Sequence, residues 1–321
     1  TRSVSVLITL IGVLSIGLIL KKFFEIKNWW LSILLLSITP VWFLHSRTAF
    51  ETVIATAFYT GFLYAYFLYL YKSPKYLFLT LFAAALTFYT YNPARMVILV
   101  TCTLLLISDF RFHWQNRKMF SLGIVFILFL AYPFFRFVYY HPNATSSHLL
   151  LLNSYWTQDI QVTQKLLLFG GEYLKGLSVQ YWFFPKTQDL TRHVMKGYGN
   201  FLLVFLPFFL IGLWTAIKKW RNPAYRILLI ALISAPTGGA LVEHFVTRAL
   251  IIVVPVTLFS TIGVIKFLNK LSMFQKQREK SIILFFLVLC LGNIAMLSDV
   301  LSHSALWFDN YGLYGMQYGG K

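Results

Sequence analysis

Long apolar runs separated by short polar segments make up most of this chain. A helix that crosses a bilayer needs roughly 20 mostly apolar residues, with about 17 to 25 the usual range. That rule predicts ten transmembrane helices, some of them short: about 4–20, 29–44, 52–71, 76–91, 93–108, 119–138, 200–217, 227–242, 249–265 and 282–298. The pattern predicts an all-α polytopic membrane protein, with residues 1–298 as the transmembrane domain and 299–321 as the start of an extracytoplasmic segment.

One polar interval is far longer than the rest. Residues 139–199 form a loop rich in Trp and Tyr, as in Asn153-Ser-Tyr-Trp156 and Tyr181-Trp-Phe-Phe-Pro185. Long loops of that kind are usually functional or folded as lids. Its middle, about 158–177, suits an amphipathic helix lying on the membrane. The chain shows no internal repeat of the sort that marks many secondary transporters.

Composition agrees with the membrane reading. Of 321 residues, 58% are hydrophobic and only 12% charged, against about a quarter charged in a soluble domain. The net charge of +18 raises a nucleic-acid partner as a possibility, but the position of the charges argues against one. Lys21, Lys22, Lys27, Lys72, Lys75, Arg111, Arg117, Lys118, Lys218, Lys219, Arg221, Arg226, Lys266, Lys270, Lys276, Arg278 and Lys280 all fall in one set of alternate loops. They account for 17 of the 28 basic residues. Short basic loops stay on the cytoplasmic side. The alternation therefore predicts both chain ends outside and the long loop on the extracytoplasmic face. Cys102 and Cys290 lie inside apolar runs and indicate neither a disulfide framework nor a metal site.

Ionisable residues at outer helix ends are informative, because placing them near lipid is costly without a partner or a watery cavity. Four clusters qualify. His45-Ser-Arg47-Thr-Ala-Phe-Glu51 closes a tight outer turn, where Arg47 and Glu51 suit either an i,i+4 ion pair or a grip on a lipid-linked phosphate. Tyr89-Thr-Tyr91-Asn92-Pro93-Ala-Arg95 puts Arg95 in a first helical turn, since Pro93 is suited to opening a helix. Arg95 there suits either snorkelling to headgroups or, with the Tyr wall, a sugar-phosphate. Asp189-Leu-Thr-Arg192-His193 ends the long loop, and Glu243-His244-Phe-Val-Thr-Arg248 forms another outer turn after Pro236-Thr-Gly-Gly239. These last two suit solvated loop charges or phosphate binding. Neither has tight metal-ligand spacing, so no cofactor is required, although a divalent metal stays open.

Several of these stretches are similar to a known family. His45-Ser-Arg47, Tyr89-Thr-Tyr91-Asn92-Pro93-Ala-Arg95, Arg192-His193 with Gly197-Tyr-Gly199, Arg248, and the tail Trp307-Phe-Asp-Asn-Tyr311 with Gln317-Tyr-Gly-Gly320 carry the likeness. The chain resembles bacterial relatives of the protein O-mannosyltransferases and of the lipid A aminoarabinose transferase. These are GT-C glycosyltransferases of the dolichyl-phosphate-mannose–protein mannosyltransferase-like superfamily. The resemblance implies transfer of a sugar from a polyprenyl-phosphate donor to a glycan, lipid or protein acceptor, in a bacterial cytoplasmic membrane and on its outer face. It implies a catalytic acid in the first outer loop, which no residue here matches and which is expected upstream of Thr1. The chain then reads as a piece lacking that loop and a soluble C-terminal domain.

The remaining residues are expected to bind substrate. Arg47, Arg95 and Arg248 suit the donor phosphate, whose charge grows as it leaves. Tyr89, Tyr91 and Trp156 or Trp182 suit the sugar or prenyl path, with Glu51, Arg192, His193, Glu243 and His244 beside them. An O-antigen ligase or polymerase also fits the Arg192-His193 loop. A transporter or lipid flippase fits less well, because the charges sit at helix ends and no repeat is present.

Overall fold

The structure is a computed structural model and describes residues 2–48, 50–185, 189–271 and 275–303. The tail motifs at 307–311 and 317–320 lie outside the described residues. Every described element is helical. In chain order the α-helices are α1 (Arg2–Phe23), α2 (Leu31–Ser37), α3 (Pro40–His45), α4 (Glu51–Tyr71), α5 (Leu77–Thr90), α6 (Asn92–Ser108), α7 (Phe110–Gln115) and α8 (Arg117–Tyr140). They continue with α9 (Ala144–Leu151), α10 (Val162–Leu177), α11 (Val179–Phe183), α12 (Leu206–Lys218), α13 (Pro223–Ser234), α14 (Val253–Leu271) and α15 (Gln275–His303).

Among the described residues, six helical stretches are long and apolar enough to cross a membrane: Ser3–Phe23, Glu51–Tyr71, Arg117–Tyr140, Pro223–Leu241, Leu250–Lys270 and Glu279–His303. Asn92–Ser108 and Leu203–Lys218 are apolar but shorter. The chain is an all-α polytopic membrane protein. Every one of the ten apolar runs is helical, yet not every run is a single helix. Residues 29–44, expected as one span, are two short helices. Thr39 is extended at ψ 114°, as the residue before a proline prefers, and Pro40 opens α3. The run at 227–242 leaves α13 at Ser234 and continues in tight 3-10 turns over Ala235–Thr237 and Gly239–Leu241.

The buried centre is aromatic and aliphatic, built on Tyr59, Phe62, Phe67, Phe201 and Phe259 with the aliphatic faces of α1, α2 and α14. α14 packs closely along α12. A Cβ on Gly212 would lie 1.9 Å from the Phe259 carbonyl oxygen, and one on Gly263 would lie 1.8 Å from that of Phe208. Small residues that let backbones approach in this way are the usual cement of helices in lipid. By contrast α8 and α15 are almost uncovered by protein, as helices on a lipid-facing rim should be.

Buried polar groups divide the bundle into two ends. Where α6 finishes, Arg226 of α13 makes an ion pair with Asp109, and its Nε donates to Ser108 Oγ at 2.6 Å. Tyr66 donates to Asp109 Oδ2 at 2.8 Å, and the Tyr69 hydroxyl lies 2.9 Å from His113 Nδ1. Asp109 and Arg226, read from sequence as loop charges, are therefore a buried pair. Where α6 begins, α4, the turns after α13 and the long loop meet, and all four Arg clusters lie there.

Candidate functional site

Residues 141–185 and 189–202 of the long loop fold as a cap. α9 to α11 carry it, and polar residues on and next to these helices hold the 233–246 turns mainly by main-chain bonds. Ser154 donates to the Leu241 carbonyl at 2.7 Å, Tyr155 to that of Ala240, and Tyr173 to that of Ile233 at 2.7 Å. In return, the His244 amide donates to Glu172 Oε2 at 2.6 Å and the Val246 amide to Asp189 Oδ1 at 2.7 Å. Asp189 also accepts from the Tyr181 hydroxyl at 2.7 Å, which with burial pushes that phenol upward. Trp182 is core here: its Nε1 donates to the Gly176 carbonyl, and its ring packs on Phe201 and His244. Trp156 packs on Tyr155 and Phe169 of the cap.

A cavity of about 470 Å3 lies between the first turn of α6, the end of α8, α9 and the 238–248 turns. Arg95 and Arg248 both line it, from positions 153 residues apart, together with Asn92, His148 and an apolar wall that includes Leu149 and Phe137. No Asp or Glu is in the lining. Gly238 makes the join possible, because a Cβ there would lie 2.2 Å from the Pro93 carbonyl oxygen.

Among the described residues, no carboxylate pairs with either guanidinium. Arg95 Nε donates to the Phe88 carbonyl at 3.2 Å, and its guanidinium sits 5.2 Å from the Phe88 ring and 5.5 Å from the Phe134 ring. Arg248 Nη1 donates to the Glu243 carbonyl at 2.6 Å, with the Phe245 ring 5.0 Å away. Tyr91 lies close enough to Arg248 to feel its charge. Thr52, one residue beyond Glu51, donates to the Thr247 carbonyl at 2.6 Å. Glu51 acts on the same Tyr91 phenol, so Glu51, Tyr91 and Arg248 are neighbours.

The other expected residues take different places. No ion pair joins Arg47 to Glu51 among the described residues. α4 starts at Glu51 rather than near Arg47, and Arg47 instead lies 3.5 Å from the centre of the Phe43 ring. Tyr89 is committed to α8. Its hydroxyl donates to the Leu130 carbonyl at 2.7 Å and accepts from the Phe134 amide at 3.2 Å, entering the helix ladder next to Pro133. Side-chain insertion beside a proline is a known cause of helix kinks.

His45, Phe50 and the Arg192-His193 pair form a second group outside the cavity lining, with Arg47 two residues from His45. The His45 and His193 rings stack at 5.9 Å, with Phe50 against His193 at 5.5 Å, and Arg192 Nε donates to His193 Nε2 at 3.1 Å. Burial, helped by His45 and Arg192, lowers His193 to about 4. One cavity thus collects Arg95 and Arg248, and its lining holds neither Arg47 nor Arg192. His244 is completely buried, with neither ring nitrogen bonded to a protein partner. Burial, then the charges of Lys175 and Arg248, lower it to about 3. Glu243 beside it is exposed, so the two do not share one space. His148 and the two rings that seat Arg95 were not singled out from sequence. Their only signal, an isolated His and Phe residues in apolar helices, is one that many helices carry.

The fold and this end of the bundle define an integral membrane protein with a capped cationic cavity. Residues 1–137, somewhat less than half of the chain, match the family described as dolichyl-phosphate-mannose-protein mannosyltransferase, a likeness to the GT-C-like mannosyltransferase superfamily. The match covers α1 to most of α8, so it includes Arg95 and stops before the cap and Arg248. No curated protein and no solved structure matches the chain.

Proposed function

We propose that the cavity between Arg95 and Arg248 binds the phosphate of a polyprenyl-phosphate sugar, and that the sugar passes to its acceptor on this, the extracytoplasmic, face. One observation carries the reading: two guanidiniums from distant parts of the chain converge on one cavity with no carboxylate in its lining. Arginine suits phosphate because its planar fork makes paired, charge-assisted hydrogen bonds. The cavity also receives the first turn of α6, whose free amide groups and dipole favour an anion. A leaving phosphate gains charge as the glycosidic bond breaks, so the same groups favour the transition state over the bound donor.

The apolar side of the cavity, Met96, Leu99, Leu149 and Phe137, suits the first isoprene units next to the phosphate. Tyr91, with Glu51 beside it, stands where the sugar would project. Arg47, Arg192 and His193 stand further along the same end, a position suited to the acceptor. These are binding roles.

The test uses purified protein in nanodiscs with a synthetic polyprenyl-phosphate sugar. Arg95→Ala and Arg248→Ala should each weaken donor binding by about 10- to 150-fold, the loss of one charged hydrogen bond of about 1.5–3 kcal/mol. A polyprenyl-diphosphate sugar bound more tightly than the monophosphate would overturn the donor assignment and favour a ligase or polymerase. Donor carried across proteoliposomes without a transfer product would favour a flippase.

A further inference from the structure

The cap carries an amphipathic helix that faces the wrong way for water. On α10 the charged and hydrogen-bonding residues point inward. Lys165 Nζ donates to the Trp156 carbonyl at 3.1 Å, Glu172 accepts from His244 and lies 3.6 Å from Lys175 Nζ, and Tyr173 reaches Ile233. The outward positions of the same helix hold no charged residue. Instead Leu167 is 75% exposed, with Leu166 and Leu174 also open. α9 continues the row through Leu150 and Leu151, the latter 84% exposed. A helix on a water-facing surface turns its polar side out.

We infer that this leucine face of α9 and α10 is seated in the bilayer, at the boundary between headgroups and acyl chains. Continuity with the lipid-facing rim supplies the occupant. α8 is long enough to cross, is almost uncovered by protein and ends at Tyr140. Only His141, Pro142 and Asn143 separate it from α9, so α9 must start where α8 leaves the membrane. Helices with one leucine-rich side and no charge on it lie in that boundary layer. Glu172 and Tyr173 are spent on the 233–244 turns, which fixes the cap to protein on one side and to lipid on the other.

The placement has a consequence for the cavity. α9 presents His148 and Leu149 to the cavity and Leu150 and Leu151 to the bilayer. A single helix then separates lipid from Arg95 and Arg248, so an anionic group carried by a lipid reaches them sideways from the membrane. The seat itself stands whether or not the ligand is a sugar-phosphate.

The experiment keeps the full chain in phosphatidylcholine–phosphatidylglycerol nanodiscs. Nitroxide labels are placed singly at Leu151→Cys, Leu167→Cys and Leu174→Cys in a Cys102→Ala, Cys290→Ala background. Expected is preferential access to oxygen over a water-soluble nickel chelate, close to that of a label at Ile124→Cys on α8 and several-fold above Asn143→Cys. Nickel access equal to Asn143→Cys would overturn the inference. So would spin–spin broadening that disappears on dilution with unlabelled chain, because a second copy would then cover the face. An unsubstituted chain gives an independent reading: a carbene-generating lipid probe should label peptides from 162–174 as it labels α8. No labelling there would also overturn the inference.

Discussion

At the last turn of α6, Arg226 is neutralised by Asp109. At its first turn, Arg95 and Arg248 share a cavity whose lining contains no carboxylate. Both ends put cations against apolar surroundings, but only the first closes its charge. Asp109 has a side chain 5% exposed and accepts from Arg226 and Tyr66. That pair belongs to the architecture: it ties α6 to α13 and, through Tyr66, to α4. Arg95 and Arg248 are held by carbonyls and aromatic faces, which orient a guanidinium and leave its charge available. Carboxylates exist nearby, in Glu172 and Glu243, and they act on Arg248 without pairing to it. Glu172 is spent on the His244 amide, and Arg248 meets only the main-chain oxygen of Glu243. Charge left open in a cavity is what a binding site requires, and charge closed in the interior is what a joint requires.

The sharpest way to break this comparison is to open the closed end. Arg226→Met leaves Asp109 buried without its cation, and breaking a buried pair costs about 3–5 kcal/mol. The variant should melt well below the parent in detergent, with Asp109→Asn added to it restoring most of the loss. A small change would mean that water already solvates Asp109.

The open end should behave in reverse. Arg95→Ala and Arg248→Ala should cut donor binding as above while changing stability by about 1 kcal/mol or less, since neither removes a buried counter-charge. Equal losses of stability at both ends would dissolve the distinction.

Acid should loosen the cap before the closed end. His244 is neutral when docked and titrates at about 3 there, against 6.5 when exposed. Its undocked form therefore binds the proton more readily. Docking is at full strength above about pH 6.5 and weakens by up to about tenfold per pH unit below it. Protection factors of α10 amides, taken against intrinsic exchange at each pH, should fall between pH 6.5 and 4.5, and His244→Phe should flatten that dependence. The smallest effect is expected at Tyr89. Tyr89→Phe removes its bonds to α8 at a cost of about 1 kcal/mol and should leave donor affinity unchanged. A clear loss of affinity would return Tyr89 to the substrate path.

Much of the fold was legible because lipid imposes simple rules. Apolar runs of the right length were helical, the basic loops and the Arg clusters separated, and the interval 158–177 carried the amphipathic helix α10. Local pattern failed where one neighbour decided the outcome. Arg47 and Glu51 have the spacing of an ion pair, but α4 begins only at Glu51, and the Phe43 ring takes the guanidinium instead. Tyr89 and Tyr91 look equivalent two residues apart, yet one enters α8 beside Pro133 and the other lies near Arg248.

By itself the sequence determined the class of molecule, its helical material and the chemistry at its ends. Hydrophobicity and charge placement are summed along the chain and need no partner to be read. Only the tertiary structure decided that Arg95 and Arg248, 153 residues apart, share a cavity, while Arg226 is closed by Asp109. It also decided that α10 turns its charges inward and its leucines out. Periodicity states that a helix has two faces; what packs against each face is settled by contacts between segments remote in sequence.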